Sequence, residues 1–108
     1  MKNIEYKTGG TLIDGKNDRT WFFNSHDVYI DERTNTPVGN GHVFAIEHTE
    51  DGDKCSIQKV VTVDTPSGFK KITLSTVAIL ERFTYFEIGE EPEEQMLKIS
   101  FIEMEGDN

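Results

Sequence analysis

Short runs of β-branched and aromatic residues, separated by glycine-containing turns, are the feature that most restricts how this chain of 108 residues can fold. Apolar and polar residues alternate within these runs, and no segment shows the three- to four-residue apolar spacing of an amphipathic helix. Four turn motifs predict chain reversals: Asp14-Gly15, Gly39-Asn40-Gly41, Asp51-Gly52-Asp53 and Pro66-Ser67-Gly68. The pattern therefore predicts an all-β protein.

Eight strands are predicted, at residues 10–15, 19–24, 27–31, 42–49, 54–63, 69–80, 83–88 and 96–104. Residues 32–41 form one long irregular connection between them. Residues 75–83 are open to a second interpretation as a short helix, although their β-branched residues favour a strand. In the last strand Leu97, Ile99 and Phe101 alternate with polar residues, which predicts a hairpin with one buried face.

The length of the chain predicts one domain, with no internal repeat. The spacing of the strands is typical of a sandwich or a small barrel. The one plausible boundary lies at residues 64–68, because residues 1–63 carry 7 Lys and Arg against 10 Asp and Glu, and residues 64–108 carry 4 against 10. We therefore expect a β body over residues 1–64 and an acidic C-terminal β extension over 65–108 that packs on it.

A net charge of −9 argues against a protein that binds the phosphates of duplex nucleic acid by charge. It does not exclude binding of single strands by aromatic stacking. The single cysteine, Cys55, cannot form an intramolecular disulfide and is consistent with a reducing compartment. No apolar run is long enough to cross a membrane, and the N-terminus does not resemble a signal peptide. These features predict a cytoplasmic protein without a membrane partner.

Signals of catalysis are absent from the sequence: no glycine-rich phosphate loop and no recognisable triad are found. His26, His42, His48 and Cys55 lack the paired spacing of zinc ligands, and Asp51-Gly52-Asp53 lacks the further oxygen ligands of a calcium loop. We therefore predict no enzyme activity, no catalytic residue, no metal site and no cofactor.

Aromatic residues are concentrated at Trp21, Phe22 and Phe23. On a strand Trp21 and Phe23 share one face and Phe22 takes the other, so one of the two faces must belong to the core. In one interpretation Trp21 and Phe23 face solvent near basic residues and stack on bases. In the other, Phe22 fills the core while Trp21 and Phe23 lie under the C-terminal extension and bind nothing.

Residues 10–63 resemble a cold-shock domain. The segment GHVFAIEHTEDGDKCSIQKV, residues 41–60, is similar to the closing pair of strands in that family, and GTLIDGKNDRTWFFNSHDVYID, residues 10–31, is similar to its first three strands. The resemblance implies a five-stranded OB barrel that binds single-stranded RNA or DNA. It also implies that Trp21, Phe23 and Tyr29 stack on bases, or Phe22 in a second possible register, although Asp31 stands where the family has a histidine.

Three functional hypotheses follow from the sequence. The first is weak, sequence-tolerant binding of single-stranded RNA or DNA, through the residues Trp21, Phe22, Phe23, Tyr29, Lys7, Lys16 and Arg19. The second is an acidic protein-interaction module, an inhibitor or accessory factor, that docks on a basic protein partner through Glu90, Glu91, Glu93 and Glu94. The third is a self-associating β protein that pairs through an edge strand near residues 96–104.

Overall fold

The computed structural model describes residues 3–90 and Glu93. They contain eight β-strands: β1 (Asn3–Lys7), β2 (Gly9–Asp14), β3 (Arg19–Asn24), β4 (Val28–Asp31), β5 (Thr36–Thr49), β6 (Gly52–Asp64), β7 (Lys70–Leu80) and β8 (Phe83–Phe86). Every strand pair is antiparallel. The prediction of an all-β protein is confirmed.

The strands form two sheets. A five-stranded sheet has the order β1-β5-β6-β7, with β4 also paired to β5, and a three-stranded sheet has the order β3-β2-β8. Within the described residues β3 and β8 pair only with β2, and β7 pairs only with β6, so hydrogen bonds do not close the strands into a barrel. The five-stranded barrel that the resemblance implied is therefore replaced by two antiparallel sheets with open edges.

The main core lies between the two sheets. The three-stranded sheet contributes Leu12, Trp21 and Phe23, and the five-stranded sheet contributes Phe44, Ile46, Cys55, Ile57 and Leu80. We call the face of the five-stranded sheet that carries these residues its inner face. A smaller cluster of Val28, Val43 and Val60, with Tyr6 packed against it, lies on the opposite, outer face.

Most predicted strands are observed within a few residues of their expected ends, and β3 has the bounds predicted for it. The alternative of a helix at residues 75–83 is wrong, because β7 continues to Leu80 and is followed by a bend at Glu81 and Arg82. Strand β1 was not predicted. Its five residues pair with β5, from Asn3 opposite His48 to Lys7 opposite Phe44.

The predicted reversal at Gly39-Asn40-Gly41 is wrong. Strand β5 begins at Thr36 and runs through these residues, while the chain reverses at residues 32–35. Residues 36–39 pair with β4, with Gly39 opposite Val28. Pairing with a neighbouring strand therefore outweighs the local turn preference of the glycines, and the predicted irregular connection at 32–41 is shorter than expected.

The segment 70–86 connects the two sheets. Its first strand, β7, pairs with β6 in the five-stranded sheet, and its second, β8, pairs with β2 in the three-stranded sheet. The predicted strand at 96–104, with Leu97, Ile99 and Phe101, lies outside the described residues. In the part of the chain that the structure describes, no helix has the length and apolar character needed to cross a membrane.

Candidate interaction site

The aromatic triplet does not form an open platform. Trp21 and Phe23 are buried, with 7% and 4% of their surface exposed, and Phe22 is half-buried. The two buried rings belong to the main core, against which Phe83 and Tyr85 also pack. The expectation that Trp21 and Phe23 face solvent is therefore corrected: the core covers the rings that a base would need to stack on.

Lys7, one of the basic residues predicted to face phosphates, is held by acidic neighbours. Its Nζ lies 3.0 Å from Glu87 Oε1 and 3.1 Å from Glu5 Oε2. Hydrogen bonds to Glu87 and Glu5 raise the pKa of Lys7 above its usual value. This lysine therefore ties the end of β1 to the segment that follows β8.

The other two predicted cations also have partners inside the molecule. Lys16 Nζ lies 2.9 Å from Glu81 Oε1, and the guanidinium carbon of Arg19 lies 4.0 Å from the centre of the Trp21 ring. Tyr29 is the one predicted stacking residue that is exposed. Of the seven predicted nucleic-acid residues, two are thus buried and the three cations have partners inside the molecule. Binding of single strands stays a prediction.

The acidic docking surface predicted after β8 is described only in part. Glu90 and Glu93 are exposed, whereas Glu91 and Glu94 lie outside the described residues. Docking of these acids on a basic partner stays a prediction.

Cys55 is the one thiol of the chain, and it is buried in the main core with 1% of its surface exposed. Burial raises the pKa of this thiol to about 12, because the interior disfavours the thiolate. A thiolate nucleophile is therefore scarce at neutral pH. In residues 3–90 and Glu93 no group of three His, Cys, Asp or Glu side chains is placed to hold a metal ion.

His48 joins three strands at one end of the five-stranded sheet. Its Nδ1 lies 2.9 Å from Asp53 Oδ1 on β6, and its Nε2 lies 3.3 Å from Glu5 Oε1 on β1. Two hydrogen bonds raise the pKa of His48 above its usual 6.5: the one to Asp53 has the larger effect and the one to Glu5 the smaller. The protonated imidazole therefore stabilises the pairing of β1 and β6 with β5.

This network predicts that stability depends on the protonation of His48. Because the folded pKa is raised, the contribution is fully present below the unfolded pKa of 6.5 and is lost as the pH rises through the folded pKa. We expect the stability of the wild type, relative to His48→Gln, to fall as the pH is raised from 6.5. Urea denaturation at several pH values measures this difference, and parallel pH profiles of the two proteins would contradict the assignment.

Among the described strands, β7 carries the most exposed large hydrophobic residues: Ile72, Leu74, Val77 and Ile79. Its neighbour on one side is β6, and no strand pairs with its other side within residues 3–90. Ile72, Leu74 and Ile79 lie opposite Thr62, Val60 and Ser56 of β6. These partners are an even number of residues apart, so all three β7 side chains point to the outer face. We call Ile72, Leu74 and Ile79 the outer stripe.

A β-bulge places Ile79 on the same face as Ile72 and Leu74. The register between β6 and β7 shifts between Ile57 and Gln58, where β7 has one extra residue, Val77. If β7 paired regularly, without the bulge, Ile79 would point to the opposite face from Leu74, because the two are five residues apart and side chains alternate along a strand. The bulge keeps Ile79 outside, with 70% of its surface exposed, while Leu80 remains in the core.

The hairpin that presents β7 is held by its turn. Thr65 donates from its backbone N–H to the Phe69 carbonyl at 2.7 Å, and the Phe69 N–H donates to Thr65 Oγ1 at 3.2 Å. Gly68 closes the turn with an N–H that lies 3.0 Å from the Thr65 carbonyl oxygen, and its φ of 87° suits a glycine. These hydrogen bonds therefore fix the turn from which β7 begins.

Ile79 also borders a shallow groove on the outer face, across from Ile4 of β1. Ala45, Ser56 and Gln58 line the groove between them. The Gln58 amide donates from Nε2 to Ser56 Oγ at 3.1 Å, while its Oε1 is buried without a hydrogen-bond partner. The groove thus adjoins the outer stripe at Ile79, and its lining also includes the charged residues Glu47 and Lys54.

The sequence predicted β7 as a strand but did not identify it as a site. Lys70 and Lys71 at the start of the strand are a sequence signal of an edge, because lysines commonly flank exposed edges. Alternation alone places Ile72 and Ile79 on different faces, and only the bulge brings them together. The signal that could have located the site is the uncharged run between Lys71 and Glu81.

Comparisons with known proteins found no match. Neither a protein-family model, nor a curated protein, nor a solved structure matches the chain.

Proposed function

We propose that the protein is a protein-interaction module whose β7 edge accepts a strand from a partner. The observation that carries this proposal is the concentration of exposed apolar surface on one hairpin. Six of the eight large hydrophobic side chains exposed in the described residues lie between Val63 and Ile79. Exposed apolar side chains concentrated in this way are typical of interaction sites.

The unpaired edge of β7 is the second feature that supports the proposal. An unpaired strand presents a row of backbone N–H and C=O groups, and an added strand satisfies them with main-chain hydrogen bonds. Apolar side chains of the added strand would pack beside the outer stripe. Because the Thr65 to Phe69 turn already orders the hairpin, little conformational entropy is lost on binding.

A short labelled peptide of alternating Val and Thr tests the proposal. We expect it to bind the wild type and to bind the double variant Leu74→Lys/Ile79→Lys at least tenfold more weakly, a loss of about 1.4 kcal/mol. Fluorescence anisotropy measures both affinities. Lysine at these positions removes apolar contact and adds charge to the edge, while leaving the core intact.

Ile88→Lys is the matched control, because Ile88 is an exposed isoleucine outside the hairpin. We expect this variant to keep wild-type affinity for the peptide. Absence of peptide binding at protein concentrations where the chain is monomeric, or an equal loss in the control and the double variant, would refute the proposal. Circular dichroism of each variant separates loss of binding from loss of fold.

A further inference from the structure

We propose that the strand which β7 accepts is the β7 strand of a second copy of this chain, in the antiparallel direction. This inference rests on the proposed function and names its partner. It would give one continuous sheet across the two copies, related by a two-fold axis, as in most homodimers. The argument depends on charge, on the face of the outer stripe and on the length of the edge.

Charge is distributed along this edge so that it is complementary to itself. Lys70 and Lys71 open β7, the residues from Ile72 to Leu80 are uncharged, and Glu81 follows the strand. In the described residues neither lysine makes an ion pair. Glu81 is exposed and contacts Lys16 at one carboxylate oxygen, which leaves room for a second cation.

The antiparallel direction is the one that matches these charges. It brings Lys70 and Lys71 of each copy towards Glu81 of the other, and the two-fold axis makes this contact twice. A parallel arrangement would place lysines beside lysines, which is unfavourable. The nine uncharged residues between the charged ends would then pair with one another.

The outer stripe is compatible with the same arrangement. A two-fold axis perpendicular to the sheet leaves the outer faces of both copies on the same side. Ile72, Leu74 and Ile79 of one copy would therefore lie beside the same residues of the other and form one apolar surface. The bulge at Val77 is required for this, because it places Ile79 on the outer face.

The other open edges are less suited to such pairing. Strands β8 and β3 have 4 and 6 residues, whereas β7 has 11. The edge strand β1 has 5 residues and carries the ion pairs of Glu5 and Lys7. Strand β7 is therefore the longest edge with an uncharged centre among the described strands.

A charge-swap experiment on the full chain tests the inference by sedimentation velocity over a range of concentrations. We expect the wild type to form a dimer and Glu81→Lys to dimerise at least tenfold more weakly. The reversed variant Lys70→Glu/Lys71→Glu should lose the dimer in the same way. An equimolar mixture of the two variants should restore it, because the heterodimer regains attraction at both ends.

Glu90→Lys is the control, since it makes the same change of charge at an exposed acid away from β7. A strictly monomeric wild type, or equal weakening by Glu81→Lys and Glu90→Lys, would overturn the inference. Slow hydrogen exchange at β7 amides that face away from β6 in a monomer would also overturn it, because another segment of the same chain would then cover the edge. Peptide binding to a monomeric wild type would support the proposed function and refute only the pairing with a second copy.

Discussion

Replacing Phe44 with alanine should lower the free energy of unfolding by about 3 to 5 kcal/mol. Phe44 is fully buried, and its ring stacks on Phe23 with centres 4.5 Å apart and meets the edge of Tyr85 at 5.9 Å. Truncation therefore leaves a cavity between the two sheets and removes two aromatic contacts. Urea denaturation followed by Trp21 fluorescence measures the loss, because this indole is buried in the same core.

Phe69→Ala is the matched control for this substitution. It removes the same atoms from a ring that is 73% exposed at the tip of the β6–β7 hairpin. We expect a change within about 0.5 kcal/mol, as for most surface substitutions. Similar losses in the two variants would contradict the placement of the core between the sheets.

Gly39→Ala should destabilise the protein by more than the roughly 1 to 3 kcal/mol that a strained backbone conformation alone costs. Gly39 has a φ of 123°. A Cβ at this position would overlap the backbone carbonyl oxygen of Asp27. That oxygen accepts a hydrogen bond from the Asn40 N–H at 2.9 Å, so it cannot move away without breaking the contact between β5 and the residue before β4.

Gly52→Ala separates the cost of the backbone conformation from the cost of the collision. Gly52 has a similar φ of 117°, but a Cβ added to it would have no atom within 4 Å. This variant should therefore show the conformational cost without the collision, and the difference between the two losses measures the collision. Thermal or urea denaturation gives both values, and equal losses would contradict the close approach of Gly39 to Asp27.

Local sequence patterns predicted the strands that alternate clearly and end at strong turns. β3 begins at Arg19, after the turn that follows Asp14, and ends at Asn24, and these are the bounds predicted for it. The start of β5 could not be predicted, because the glycines at 39 and 41 signal a turn locally, while β4 pairs with residues 36–39. Strand β1 is short, and its pairing with β5 spans almost the whole first half of the chain.

The candidate site was harder to predict than the fold. Alternation correctly placed Trp21 and Phe23 on one face, but it cannot say which face is the core when both carry aromatic rings. The answer depends on Leu80, Phe83 and Tyr85, which come from residues far along the chain. The interaction edge depends in turn on which side of β7 lacks a neighbour, a property of topology that no local pattern encodes.

The bulge at Val77 has a consequence for how this surface can change. The bulge absorbs one extra residue, so the last three residues of β7 point to the faces that a strand without that residue would give them. Deletion of Val77 would remove the bulge and leave Leu74 and Ile79 four residues apart, so Ile79 would still point outward and Leu80 inward. Loss of the extra residue therefore conserves the apolar outer face, which depends on how β7 pairs with β6 rather than on the length of the strand.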